Sequence, residues 1–184
     1  MKKHINLLVA ISLLTITAAT AQAQAPAPSA SANTNVHVVL QDVISLAVNQ
    51  ADVTLTFATT TDYQEGKTEA MANHLTATSN KPYTLRVNAA TDLNAATSAN
   101  GSLEAGVLSI TVPTDGTNAG KVGTVTPVTA LTTSNQTLFT DATPAVNQNI
   151  NVNYAVPAAV SKSTKILGKN ADTYTTVVTY TISQ

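Results

Sequence analysis

The sequence predicts an all-β chain folded as an antiparallel sandwich or barrel. Three observations predict it. Apolar residues alternate with Thr, Asn and Ser along most of the chain, which is the period of half-buried strands. The alternating runs are short and are separated by turn-forming residues. Beyond the N-terminal segment, no window of about eleven residues carries strong helical periodicity.

The elements follow in order. Val36, Val38, Leu40, Ile44, Leu46 and Val48 share one parity, broken only by Asp42, so one long bent strand or two strands are expected there. Val53, Leu55 and Phe57 alternate with Thr54 and Thr56. A polar stretch runs from Thr59 to Asn73, and Leu75 and Ala77 mark a short segment after it. Tyr83, Leu85, Val87 and Ala89 form the cleanest strand. Leu108, Ile110 and Val112 form the next. Val122 to Val128 is β-branched without clean parity, and Pro127 places it at an edge. Gln136 to Thr140 is a weaker strand. Ile150, Val152, Tyr154 and Val156 alternate with asparagines, and Tyr174, Thr176, Val178, Tyr180 and Ile182 close the chain. Turns are expected at Asn80-Lys81-Pro82, Asn100-Gly101, Asp115-Gly116 and Gly168-Lys169-Asn170. Residues 65–73 and 157–167 have room for no more than a turn of helix. By parity Tyr83, Tyr154 and at least one of Tyr174 and Tyr180 belong to the core, leaving Tyr63 exposed in a loop.

The N-terminus reads as a secretory signal peptide. Met1-Lys2-Lys3-His4 is basic, Ile5 to Ala19 is apolar, and Ala21-Gln22-Ala23 is a small-x-small cleavage site. The apolar run is shorter than a membrane span needs, and the mature chain has no other candidate span. Residues 1–23 are therefore assigned to the signal peptide and 24–35 to a flexible Ala/Pro/Ser arm. Residues 36–184 are assigned to one β domain, and the product is expected to be extracellular, at the cell surface or periplasmic. With 184 residues and no cysteine, stability must come from one packed core rather than from disulfides.

Composition narrows the function. After cleavage seven cations face ten acids, a net charge of −3, which argues against a nucleic-acid partner. Threonine is the dominant polar residue, with 32 copies, and Thr on a wet strand face keeps it soluble without charge. Few charges also means few gatekeepers, so exposed strand edges pair readily with other strands. There is no H-E-x-x-H, G-x-S-x-G, Walker A or G-x-G-x-x-G motif, so no enzyme, cofactor or metal centre is expected. His37 and His74 read as solvent-facing. Asp115-Gly116-Thr117-Asn118 has residue types of a calcium loop but lacks its remaining ligands, and reads as a plain turn. Asn100-Gly101-Ser102 and Asn135-Gln136-Thr137 match the glycosylation acceptor pattern. Tyr63, with Asp62 and Glu65 in the same loop, is the one candidate for a sugar or small-ligand site.

Signal peptide, Ser79-Asn80-Lys81-Pro82-Tyr83-Thr84-Leu85-Arg86-Val87 and the closing Ala171-Asp172-Thr173-Tyr174-Thr175-Thr176-Val177-Val178-Thr179-Tyr180 occur in that order. In this the chain resembles small secreted bacterial proteins of the pilin-like and spore-coat-U-like families, including the alpha-type fimbrial subunits. The resemblance implies an immunoglobulin-like β-sandwich with a structural or adhesive role. It implies other protein chains as partners, including copies of itself, joined by β-strand addition. The inserted side chains would then be Val36, Val38 and Leu40. The alternative is a secreted module binding a carbohydrate or small ligand through loops at one end.

Overall fold

A computed structural model describes residues 27–184; the segment expected to be the signal peptide and the first residues of the arm lie outside it. Residues 27–39 form no helix or strand and are exposed. From Leu40 to Gln184 the chain makes one compact unit.

Along that unit run β1 (Ile44–Val48), α1 (Thr60–Glu65), β2 (Gly66–Ser79), β3 (Tyr83–Ala89), β4 (Leu93–Ala95), β5 (Ser102–Leu103), β6 (Ser109–Thr111) and β7 (Thr124–Val125). They are followed by β8 (Gln136–Ala142), β9 (Ala145–Pro157), α2 (Ala158–Ser161), β10 (Tyr174–Thr175) and β11 (Val178–Ser183). The strands form two four-stranded sheets, β1-β2-β9-β6 and β11-β3-β8-β7, and a small three-stranded sheet, β10-β4-β5. Every pairing is antiparallel. This is the all-β class the alternation predicts.

One apolar cluster joins the two large sheets. Leu75 and Ala77 of β2 and Ile150, Val152, Tyr154 and Val156 of β9 meet Tyr83, Leu85 and Val87 of β3 and Leu138 and Phe139 of β8. The rings of Tyr83 and Phe139 pack edge to face, with centroids 5.8 Å apart. On β9 the partners of this buried row, Asn149, Asn151 and Asn153, face outward at period two, as the sequence predicts.

The pairing is bent at defined places. Asn73, Asp141 and Asn147 are the non-glycine residues with positive φ among the described residues, at 50°, 57° and 54°. Each lies at or beside a register shift: Asn73 between Met71 and Leu75, Asn147 facing the shift between Ala77 and Ser79, and Asp141 beside the one in β3–β8. Asn and Asp tolerate this conformation better than branched residues, so they are natural bulge formers. Asn73 is further held by its N–H, which donates to Asn151 Oδ1 at 2.7 Å.

The structure differs from the sequence reading at several elements. Val36 to Val43 forms no strand, and Val53 to Phe57 pairs with no described residue. β2 is longer than expected and begins at Gly66, inside the polar stretch. The final run splits into β10 and β11, and β4 and β5 carry no alternation that would announce them. By contrast the Val122–Val128 segment yields β7 at the edge of its sheet, where Pro127 had placed it.

Gly123, just before β7, has φ 54°, and a Cβ there would run into the backbone carbonyls of Thr140 and Asp141 on β8. Backbone cannot move aside as a side-chain tip can. Gly123→Ala is expected to destabilise the protein by roughly 2 kcal/mol or more. Gly101 has a similar φ, 71°, but open space around it. Gly101→Ala should therefore cost only the conformational term, about 1 kcal/mol. Urea denaturation of the two variants checks the order; a Gly101 variant as damaged as the Gly123 variant contradicts it.

Candidate functional site

The core is incompletely covered along one side. β1 and β11 are both outermost strands, each with one partner. They lie together at one end, where Gln184 Nε2 donates to the Val43 carbonyl at 3.0 Å. Of the core-side residues of β1, Leu46 is half-buried on the core, but Ile44 is 41% and Val48 50% exposed, although they pair with buried Ser79 and Leu75. Val178, Tyr180 and Ile182 on β11 are also only half-buried.

Past β1 the chain turns away from β2. Asn49 N–H still donates to the His74 carbonyl at 2.8 Å, and Gln50 Nε2 to the Ala72 carbonyl at 3.2 Å. The next anchor is Ala58 N–H on Asp62 Oδ2, 3.0 Å. Between them Ala51–Phe57 makes no backbone hydrogen bond to any described residue. Yet Val53, Leu55 and Phe57 pack half-buried on the core while Thr54 and Thr56 face out. The segment has the alternation of a strand without a strand's pairing. A row of N–H and C=O groups with no partner among the described residues is a template for another strand.

The described part of the arm carries the complementary property. Val36, Val38, Val39 and Leu40 are 79%, 78%, 81% and 87% exposed. Four large apolar residues left this open within five positions are unusual.

A buried polar chain ties the two sheets beside this side of the core. His74, on β2, is 2% exposed, which corrects the expectation of a solvent-facing residue. The register shift at Asn73 turns both His74 and Leu75 inward. His74 Nε2 lies 2.8 Å from Tyr154 Oη, and Tyr154 Oη lies 2.6 Å from Tyr180 Oη on β11. His74 Nδ1 lies 3.2 Å from Gln50 Oε1. The donors can be ordered. Gln50 spends its Nε2 on Ala72, so its Oε1 accepts from His74 Nδ1–H. His74 Nε2 then accepts from Tyr154 O–H, which accepts from Tyr180 O–H. Burial lowers the His74 pKa and pushes the Tyr154 phenol up to about 12. Burial, and then the neighbouring Tyr154, raises Tyr180 further still. The chain is built to stay neutral.

The residues singled out for ligand binding lie together on α1. Asp62 closes a capping box. Its Oδ2 accepts from Thr59 N–H at 2.8 Å, and Asp62 N–H donates back to Thr59 Oγ1 at 3.3 Å. Lys67 Nζ, 2.9 Å from Asp62 Oδ1, and then the Ala58 and Thr59 N–H groups hold the carboxyl well below the usual range. Tyr63 is half-buried rather than loose, with its ring 5.2 Å from that of Phe57. Glu65 is exposed at the helix end. Here α1 pins the far end of the unpaired segment. The Thr59-x-x-Asp62 spacing was the signal for this helix. Gly116–Asn118 forms a single 3-10 turn, with buried Asn118 bonding to the β9 backbone at Asn151.

Compared with known proteins, the chain matches no family model and no curated sequence.

Proposed function

We propose that this protein is an exported structural subunit, an immunoglobulin-like sandwich that joins other copies of itself by β-strand addition. The observation that carries the reading is Ala51–Phe57, a segment with alternating half-buried side chains and no backbone pairing to any described residue, in a chain that also carries exposed Val36, Val38 and Leu40. The arm of one copy, through Val36, Val38 and Leu40, enters beside Ala51–Phe57 of the next. Main-chain pairing supplies the geometry, and burial of alternate side chains supplies affinity. Burying three such side chains contributes roughly 1.5–3 kcal/mol each before the cost of ordering the arm is subtracted. The absence of catalytic motifs and the uncharged Thr/Asn surfaces agree with a role in an extracellular or cell-surface assembly.

Sedimentation velocity on a concentration series tests this. The protein is expected to grow with concentration into dimers and longer chains. Val38→Asp and Leu40→Asp place charges at positions that must be buried, while both sites are exposed in the single chain. Both variants are expected to remain monomeric with an unchanged melting temperature. A parent protein that is monomeric throughout, or growth unchanged by the substitutions, would overturn the reading.

A further inference from the structure

An apolar arm tethered beside an open strand edge competes with every other copy for that edge. A short tether gives an effective concentration of about millimolar, so at about micromolar protein its own edge is favoured roughly a thousandfold over a neighbour's. A subunit that assembles through its arm must therefore block the pairing within one chain. That pairing is written in the sequence. Counting back from a turn at Gln41-Asp42-Val43 sets Leu40 opposite Ile44, Val38 opposite Leu46 and Val36 opposite Val48, a hairpin with a three-residue loop. β1 has the edge for it. Asn80 N–H donates to the Val43 carbonyl at 3.2 Å, and Asn49 N–H to the His74 carbonyl at 2.8 Å. The odd-numbered residues along β1 thus address β2, and the N–H and C=O groups of Ile44, Leu46 and Val48 turn to the opposite edge. No described strand pairs with that edge.

Asn80, just past the end of β2, occupies the loop that this hairpin needs. Its Nδ2 donates to the Gln41 carbonyl at 2.8 Å, and its Oδ1 accepts from Val43 N–H at 3.0 Å. Residues two apart in a strand turn to the same edge, and Gln41 and Val43 both turn to Asn80. The side chain carries the β1–β2 ladder past its last backbone pair, and residues 41–43 make no turn or bend. Two further contacts hold them. Gln184 Nε2 donates to the Val43 carbonyl at 3.0 Å and to Asn80 Oδ1 at 3.1 Å. Lys81 Nζ lies 2.6 Å from Asp42 Oδ2, an exposed pair that adds little by itself.

We propose that Asn80 is a latch that makes assembly intermolecular, an inference that rests on the assembly reading above. By holding residues 41–43 as a continuation of β1, it denies Val36, Val38 and Leu40 the β1 edge of their own chain and leaves them for a second copy. Releasing it lets the three-residue loop close and the arm cover Ile44 and Val48, which are open in this chain.

Two variants test it. Asn80→Ala removes both side-chain bonds, and Asn80 has no positive φ that alanine would resist. Asn80→Asp keeps the size and the acceptor for Val43 N–H, but sets a carboxylate oxygen against the Gln41 carbonyl, so it opens the latch with the least disturbance of the fold. Residue-resolved amide exchange on dilute protein, with sedimentation velocity on a concentration series, reads the outcome. In the parent the amides of Val36 to Leu40 are expected to exchange freely. In both variants they are expected to be protected at least about tenfold, with β3 and β9 as protected as in the parent. Self-association is expected to weaken at least about tenfold as the arm is taken up within its own chain. Arm amides that stay unprotected in both folded variants would overturn the latch, as would arm amides already protected in the dilute parent. Undiminished association of the folded variants would do so as well. The two failures are separate: a parent that never grows with concentration refutes assembly, whereas exchange in the variants decides the latch.

Discussion

The doubly substituted Ala51→Pro/Thr54→Pro protein is expected to fold like its parent and to stop at the monomer. Proline removes a backbone N–H and blocks pairing on that side of a strand. Among the described residues the substitution removes no backbone hydrogen bond of Ala51 or Thr54, and both side chains are exposed. The parity of the two positions matters. Successive residues of a strand turn their N–H and C=O groups to opposite edges, and position 51 is odd while 54 is even. Whichever edge the incoming strand uses, one proline faces it. The expected loss is about 10- to 100-fold in the self-association constant, with thermal stability held to within about 1 kcal/mol. Sedimentation velocity and a melting curve on the same samples read both quantities. Undiminished assembly with an intact fold would place the contact elsewhere on the molecule.

Most of the β architecture was legible in the residues. β3 and the second half of β9 alternate strictly because one face of each lies on the core and the other in water, and that asymmetry is written in the side chains. Pairing geometry was less legible. Asn73 introduces a bulge that sends two adjacent residues inward, so His74 falls on the wrong parity for burial and reads as exposed. The first half of β2 looks like a polar loop because its residues face water or are only half-covered; the long pairing with β9, not an apolar face, holds it in the sheet. β4 and β5 are too short to show a period. For the open segment the opposite holds. Val53, Leu55 and Phe57 announce a strand, and the structure shows the face without the pairing. A pattern records which face is buried and is silent about what occupies the neighbouring position. The same holds for Val36, Val38 and Leu40, whose strand-like spacing is met by no partner strand among the described residues. The hydrogen-bond chain through His74 joins residues up to 80 positions apart. No local motif foretells it.

That chain sets the second expected effect, a loss of stability in mild acid that traces to one residue. His74 is neutral in the folded protein and its pKa lies below the ordinary 6.5 because it is buried. The groups facing it are Gln50 from the segment after β1, Tyr154 from β9 and Tyr180 from β11, and none is a carboxylate able to compensate a positive charge. Protonation also breaks the order of donors. Nε2 would become a donor and require Tyr154 to accept from it, so the Tyr180 O–H and Tyr154 O–H could no longer both donate toward His74. The unfolded chain has no such restriction and takes up the proton at about 6.5. As pH falls below that value the unfolded state binds one more proton than the folded state. Stability therefore falls by up to about 1.4 kcal/mol per pH unit until the folded-state value is reached. The lowered carboxyl groups of Asp62 and Asp172 act in a separate window. They contribute stability above 3.8, which is lost only as pH drops through their folded-state values, so they leave the region above pH 5 to His74. Urea denaturation between pH 7.5 and 5 is expected to show the slope in the parent. His74→Gln keeps an acceptor and a donor at the site but does not titrate, and is expected to flatten it. If both proteins lose stability in parallel, the acid sensitivity arises from another group and His74 serves only to hold β2, β9 and β11 together.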